Sequence, residues 1–286
     1  MNQIMSSRWI ARLIGRTVEH AQIERMLQAG RHVLLEGPVG VGKTTLALSV
    51  ASRLGRKVVR VDGDGRYTEQ KLVGSFDPKL VLERGFVRDS FIPGPLFRAM
   101  EAGELLLINE LNRMPEMVQN VLLPALDEGL IQIPILGELR AKEGFAVLAT
   151  QNPREFVATS ALSEALLDRL EWIAIRPLSF EEEVEVVRSH LRDPAGTLPI
   201  HVFVECVRLT REHPKIKRGA SVRAAIAMAR VLESEPEFNE EVFFEVARSV
   251  LANRIELLSG KFSNRPYAEL LDEIMGELWA ALKKKS

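Results

Sequence analysis

Up to about residue 177, short apolar runs alternate with helical segments and are punctuated by Gly and Pro, the pattern of an α/β domain built on a parallel sheet. The runs HVLLEG (32–37), KVVRVDG (57–63), ELLLINE (104–110), FAVLATQ (145–151) and EWIAIR (171–176) are its expected strands. From Ser179 onward the spacing turns helical. Ser179, followed three residues later by Glu182, reads as a capping box that opens EEEVEVVRSHL. HVFVECVRLTREH, SVRAAIAMARVLES, EEVFFEVARSVLANRIELL and YAELLDEIMGELWAALKK follow, divided by Gly- or Pro-bearing breaks at 193–199, 214–219, 235–237 and 259–266. In the third helix of this region Val222, Ala225, Ile226 and Ala229 fall at i, i+3, i+4 and i+7, one face of a helix. The expected organisation is an α/β domain over 1–177 and an all-α domain over 178–286, with no internal repeat.

A chain of 286 residues suits one large domain or a large one with a smaller companion. With 46% hydrophobic and 27% charged residues it has the material for an ordinary globular core, which excludes disorder and fibre. Thirty-eight basic against 39 acidic residues leave a formal charge of -1, so no whole-protein field draws the chain to nucleic acid or an acidic membrane. Lys283, Lys284 and Lys285 read as a solvated helix end. The lone cysteine, Cys206, cannot form an internal disulfide and lies in an apolar helical run as a buried, inert thiol. Apolar stretches such as 105–108 are far shorter than the roughly 20 residues that cross a bilayer. Arg8 and Arg12 interrupt the amino-terminal segment, which carries no secretory cleavage pattern. A cytoplasmic protein is expected.

After the strand HVLLE come Gly37, Pro38, Val39, Gly40, Val41, Gly42, Lys43, Thr44 and Thr45, then a helix-forming run. This is G-x-x-x-x-G-K-[ST] in its strand, loop, helix context. The glycines let backbone N–H groups wrap phosphates, the helix adds its positive end, Lys43 reaches the outer phosphates and Thr44 offers a hydroxyl to Mg²⁺. A GTPase would also carry an N-K-x-D string, which does not occur.

The second informative strand, ELLLINE, ends in Asn109-Glu110. In nucleotide hydrolases of this build an Asp at the strand end holds the Mg²⁺ shell and an adjacent Glu orients and deprotonates the attacking water. Glu110 fills the second role. Asn109 stands where the Asp belongs, and a neutral amide hydrogen-bonds a metal-bound water without attracting the cation.

The run GPLFRAMEAGELLLINELNRMPEMVQNVLLPALDEG resembles the MoxR branch of the AAA+ ATPases, with its G-P-[LV]-F segment, its strand closing in D-E-x-N-R and its helix with Q-x-x-L-L. The resemblance extends over nearly the whole chain, and Asn109 is its one clear departure. It implies an ATP-binding P-loop module with a helical lid, Mg²⁺ as cofactor, self-association into a hexameric ring, and chaperone-like remodelling of a client, often one with a von Willebrand factor A domain. It implies a sensor-1 role for Asn152 in Thr150–Pro153, toward the γ-phosphate or the attacking water. Arg169, in LSEALLDRLEW, resembles an arginine finger for a neighbouring subunit's nucleotide. Arg223, in Gly219-Ala220-Ser221-Val222-Arg223, resembles a sensor-2 residue. It also makes the stretch from Asp62 to Pro93 and the hairpin within 131–150 client-facing insertions, with Phe76, Phe86 and Phe91 as contact candidates.

Plainer readings stand beside these. Asn152 before Pro suits a simple turn, Arg169 could pair with Glu164 or Asp168 at a helix end, and the phenylalanines could pack the insertion onto its own domain. Arg223 stands in a helix's first turn, where the dipole disfavours a cation. Asp62, Asp64 and Arg66 are no calcium loop, because Arg66 takes a position that needs an oxygen ligand. Two functions from other classes compete with the ATPase. A nucleotide-dependent scaffold with little hydrolysis rests on Asn109 alone, and a DNA-directed motor lacks a basic stripe or stacking aromatics.

Overall fold

A computed structural model describes residues 13–152, 161–196, 198–235, 240–258 and 266–285. The chain forms two compact units, one made of Arg16–Pro38 and Gly42–Pro177, the other principally of Leu178–Ser286.

The first unit opens with α1 (Thr17–Gln28), β1 (Val33–Glu36), α2 (Lys43–Arg53) and β2 (Val58–Asp62). Then come α3 (Glu69–Val73), β3 (Gly74–Phe76), α4 (Pro78–Arg84), β4 (Phe91–Pro93), α5 (Pro95–Ala102) and β5 (Leu105–Asn109). It continues through α6 (Glu116–Asn120), α7 (Leu122–Asp127), β6 (Leu130–Ile133), β7 (Gly137–Arg140), β8 (Ala146–Gln151), α8 (Glu164–Leu167) and β9 (Glu171–Ala174). All five expected strands form, and they make one parallel sheet in the order β2-β5-β8-β1-β9. Every residue of β5 and β8 is buried. Their continuous apolar runs follow from that position, since a central parallel strand is covered on both faces and has no solvent side to alternate toward.

Two antiparallel hairpins stand outside this sheet. One pairs β3 with β4, Phe76 opposite Phe91, and encloses α4, whose amino end is capped by Asp77 accepting from Lys79 N and Leu80 N. The other pairs β6 with β7 and precedes β8, as the sequence pattern implied. Phe91 is only 6% exposed, packs edge-on against Phe76 and belongs to the domain core, while Phe86 is 54% exposed. Of the three phenylalanines offered as contact residues, Phe91 is thus a core residue.

The second unit contains α9 (Phe180–Ser189), α10 (Ile200–Glu212), β10 (Ile216–Arg218), α11 (Val222–Leu232), α12 (Glu240–Leu251), β11 (Glu256–Leu257) and α13 (Tyr267–Lys285). The capping box forms: Ser179 N donates to Glu182 Oε2 at 2.8 Å and Glu182 N to Ser179 Oγ at 3.2 Å. Phe203 and Phe243, stacked at 5.5 Å, sit at the centre of a core that includes Met228 and Ile274. Glu183 is buried among these helices and answered by Arg208 at 3.1 Å and Arg211 at 2.8 Å. Cys206 is buried in the same core, and loss of solvent pushes its thiol up to about 12.

Two details differ from the helical reading of this region. α12 ends at Leu251, and the following residues turn back so that Leu257 pairs with Ile216 in a small antiparallel ladder. The buried face of α11 is rotated: Ala224, Ala225, Met228, Ala229 and Leu232 are buried, whereas Val222 and Ile226 only border the core. Alanines define a helix face weakly, and tertiary packing chose between adjacent registers.

Candidate functional site

The strand β1 stops at Glu36, and α2 starts six residues after Gly37. Gly42 caps α2 with φ 89°, a left-handed conformation open to glycine because it has no Cβ. That turn starts α2 at Lys43, so the positive end of the helix faces the loop. Lys43 is buried, and its ammonium curls back across the loop. Nζ donates to the carbonyls of Gly37 (2.7 Å) and Pro38 (2.9 Å) and to Asn152 Oδ1 (2.9 Å). Val39 in the loop and Thr45 on α2 are exposed, whereas Thr44 is half-buried.

Thr44 Oγ1 donates to Asn109 Oδ1 at 2.9 Å, tying the start of α2 to the end of β5. The amide's other end, Nδ2, donates to Asp62 Oδ1 at 2.7 Å. Burial raises the Asp62 carboxyl, but hydrogen bonds from Arg60 and Asn109 outweigh it and hold the group below its ordinary range. Glu110 follows with φ 52° and ψ 49°, left-handed backbone that is strained for a residue with a side chain and that clusters at functional positions. Two bonds hold it there: Glu110 N donates to Thr150 Oγ1 at 3.0 Å, and Arg113 NH1 donates to Glu110 Oε2 at 2.8 Å. The hydrogen bond to Glu110 raises the Arg113 guanidinium. Asn112 Nδ2 donates to the Asn152 carbonyl at 3.2 Å, which locks the turn after β5 to the end of β8.

Lys43, Thr44, Asn109, Glu110 and Asn152 therefore meet at the carboxyl ends of β1, β5 and β8, the edge at which open parallel sheets bind ligands. The oxygens gathered there, from the Thr44 hydroxyl, the Asn109 amide and the Asp62 and Glu110 carboxylates, are hard donors of the kind a magnesium ion takes. The bound form would need only the Thr44 hydroxyl and water-mediated contacts from the protein, because Mg²⁺ keeps several waters. Asp64, by contrast, is held by Arg66 at 2.9 Å, and this exposed carboxyl is drawn down to about 2 by Arg66's hydrogen bonds.

The two expected arginines are placed differently. Arg169 lies just after α8, where NH1 donates to the Ala165 carbonyl (2.7 Å) and NH2 to Asp127 Oδ2 (2.8 Å). Its partner is therefore Asp127 at the end of α7, and neither Glu164 nor Asp168. Arg223 is exposed in the first turn of α11 and makes no hydrogen bond or ion pair with the described residues. Pro153, which closes the sensor-like segment, and residues 1–12 lie outside the described residues.

Sequence reasoning gave no role to Asp62, Asn112, Arg113, Asp127 or Thr150. Asn112 and Arg113 stand inside the motif that carried the resemblance, so their signal was present. Asp127 had none, because its partner comes from a helix neighbour distant in sequence, and Asp62 pairs with Arg60 locally but reaches Asn109 only across the sheet.

Residues 32–170 match the family model described as AAA domain (dynein-related subfamily). Over 255 residues the chain is 32% identical to the gas vesicle ATPase GvpN of Haloferax mediterranei, an alignment that covers 84% of this chain and 73% of the relative. A crystal structure from Cytophaga hutchinsonii shares the fold at a TM-score of 0.50 and 24% identity, covering 92% of this chain and 89% of that one. NtrX of Brucella abortus, crystallised with ADP, superimposes at a TM-score of 0.55 with 19% identity, over 86% of this chain and 56% of its own.

Proposed function

The chain belongs to the AAA ATPases, and on that premise we propose that it binds ATP with Mg²⁺ in the Gly37–Thr45 loop and hydrolyses it to ADP and phosphate. The observation that carries this reading is the meeting of Lys43 with Asn152 and of Thr44 with Asn109, each at 2.9 Å, at the ends of three neighbouring strands. Backbone N–H groups of the loop and the Lys43 ammonium hold the phosphates, the ammonium exchanging its carbonyl partners for phosphate oxygens. Magnesium, when bound, neutralises charge on the outer phosphates. Thr44 and Asn109 are the residues that would hold it from the protein side. Glu110 takes the proton of the attacking water, and its release from Arg113 frees the oxygen that does so. Asn152 presents its amide to the γ-phosphate. Arg169 reaches a neighbouring subunit's nucleotide, and Arg223 keeps the sensor-2 role toward the chain's own nucleotide that the resemblance implies.

In this reading the protein is a cytoplasmic remodelling factor of MoxR type. It works as a ring, a hexamer by that resemblance, on a protein client of the von Willebrand factor A class. The two hairpins are the surfaces toward that client, with Phe86 the exposed aromatic of the β3–β4 insertion. The relative's name links a chain of this kind to gas vesicles, which sets a second client class to test. A scaffold that binds ATP and scarcely turns it over is favoured by one observation, the neutral Asn109. Mg²⁺-dependent phosphate release by the purified chain decides between them: sustained turnover supports the ATPase, and tight nucleotide binding without release supports the scaffold.

A further inference from the structure

We propose that Asp62 provides the negative charge that Asn109 lacks, so that the task of one carboxylate is divided between neighbouring strands. Asn109 accepts the hydrogen bond of the Thr44 hydroxyl, and Asp62 carries the charge toward the nucleotide-borne cation. This rests on the ATPase reading above and deepens it.

The backbone sets the two residues side by side. β2 and β5 run parallel with Asp62 in register with Asn109, which puts both side chains at the same end of the sheet one strand apart. The chain beyond is drawn in further: Gly63 N donates to the Asn109 carbonyl at 2.7 Å, and a Cβ on Gly63 would stand 2.2 Å from the Glu110 carbonyl oxygen. Only glycine allows that approach, so residue 63 helps to fix where Asp62 ends up.

The hydrogen bonds then assign the roles. An ionised carboxylate can only accept, so the amide nitrogen of Asn109 must face Asp62 and its oxygen must face Thr44. The Thr44 proton is thereby committed to Asn109 Oδ1, and the hydroxyl lone pairs are left for a cation. A free asparagine could turn its amide over and present N–H groups to the metal side; Asp62 prevents it. The charge itself acts over a distance that falls only as 1/r, so one strand spacing of about 4.8 Å weakens the attraction without removing it. Arg60 NH2 shares the same Asp62 oxygen at 2.9 Å, and both groups are exposed, so the contribution is a screened one.

The arrangement changes what a simple repair at 109 does. Asn109→Asp alone sets two carboxylates at hydrogen-bonding distance and removes the bond between them, so it gains little. The exchange Asp62→Asn with Asn109→Asp keeps one charge and one amide and restores the bond in reverse.

The test uses the full chain and four forms: parent, Asp62→Asn, Asn109→Asp and the exchange. Affinity for a fluorescent, non-hydrolysable ATP analogue is first measured in EDTA, then the binding of Mn²⁺ to each protein–nucleotide complex is read from the free-Mn²⁺ paramagnetic resonance signal. Asp62→Asn is expected to weaken Mn²⁺ about tenfold, the order that a screened unit charge supplies, with metal-free nucleotide affinity unchanged. The exchange is expected to return Mn²⁺ affinity to within about threefold of the parent, the residue left by moving the charge one strand. Parent-like Mn²⁺ binding by Asp62→Asn, or an exchange as weak as Asp62→Asn, overturns the assignment while leaving the ATPase reading intact. A parent chain that binds no nucleotide overturns both.

Discussion

Arg169 NH2 donates to Asp127 Oδ2 at 2.8 Å, an ion pair between the turn after α8 and the last residue of α7. Arg169 is 28% and Asp127 53% exposed. At such exposure a pair contributes at most about 1 kcal/mol. The guanidinium can therefore trade this carboxylate for a phosphate at small cost.

The resemblance implies that Arg169 acts on a neighbour's nucleotide, where an arginine finger contributes about 10³-fold or more to rate. Arg169→Ala and Glu110→Gln chains, each inactive alone, should recover measurable turnover when mixed, because a mixed ring contains sites with both groups. Mixed rings verified by mass photometry that stay inactive would exclude the interface role. Asp127→Asn should leave the thermal midpoint nearly unchanged.

Lys43→Ala should abolish nucleotide binding. The buried ammonium is the only side-chain charge that the loop itself offers to the phosphates. Titration with a fluorescent ATP analogue measures this directly, and an unchanged affinity would remove the phosphate-loop assignment.

Glu110→Gln should keep ATP bound and stop turnover, since the amide preserves shape and the Arg113 contact but cannot accept the water's proton. Single-turnover phosphate release is the readout. The same variant, trapped with ATP, is the form with which to capture a client; parent-rate hydrolysis would place the base elsewhere.

Stability should fall on acidification through His32. Val147 N donates to His32 Nδ1 at 3.0 Å, so that nitrogen must be unprotonated, and Nε2 lies 3.2 Å from the Leu126 carbonyl as the donor. Burial lowers the imidazole's affinity for a proton, the bond to Leu126 opposes this, and Arg31 adds to the lowering. An unfolded chain takes up the proton near pH 6.5, the folded one only below that. Between those points the unfolded state binds more protons, so stability is full at neutral pH and declines as pH falls below about 6.5. Urea midpoints from pH 7.5 to 5.5 should drop more steeply for the parent than for His32→Gln; parallel slopes would show that the ring is not linked to folding.

Much of this protein is written locally. The loop from Gly37 to Thr45, the five apolar strands and the Ser179–Glu182 cap are contiguous signals, because a phosphate cradle, a buried strand and a helix start each draw on residues within one or two turns of chain. The positions of Glu110 and Asn152, each just after the end of its own strand, were legible for the same reason. Tertiary structure alone decided the rest. Placing β2 beside β5 gave Asn109 a carboxylate 47 residues away, and packing α7 near α8 gave Arg169 a partner 42 residues away. It also turned 216–218 and 256–257 into a ladder and rotated the buried face of α11. A polar side chain's partner depends on which elements become neighbours, and neighbours are chosen by burial of apolar surface over the whole domain, a choice that no local window of sequence contains.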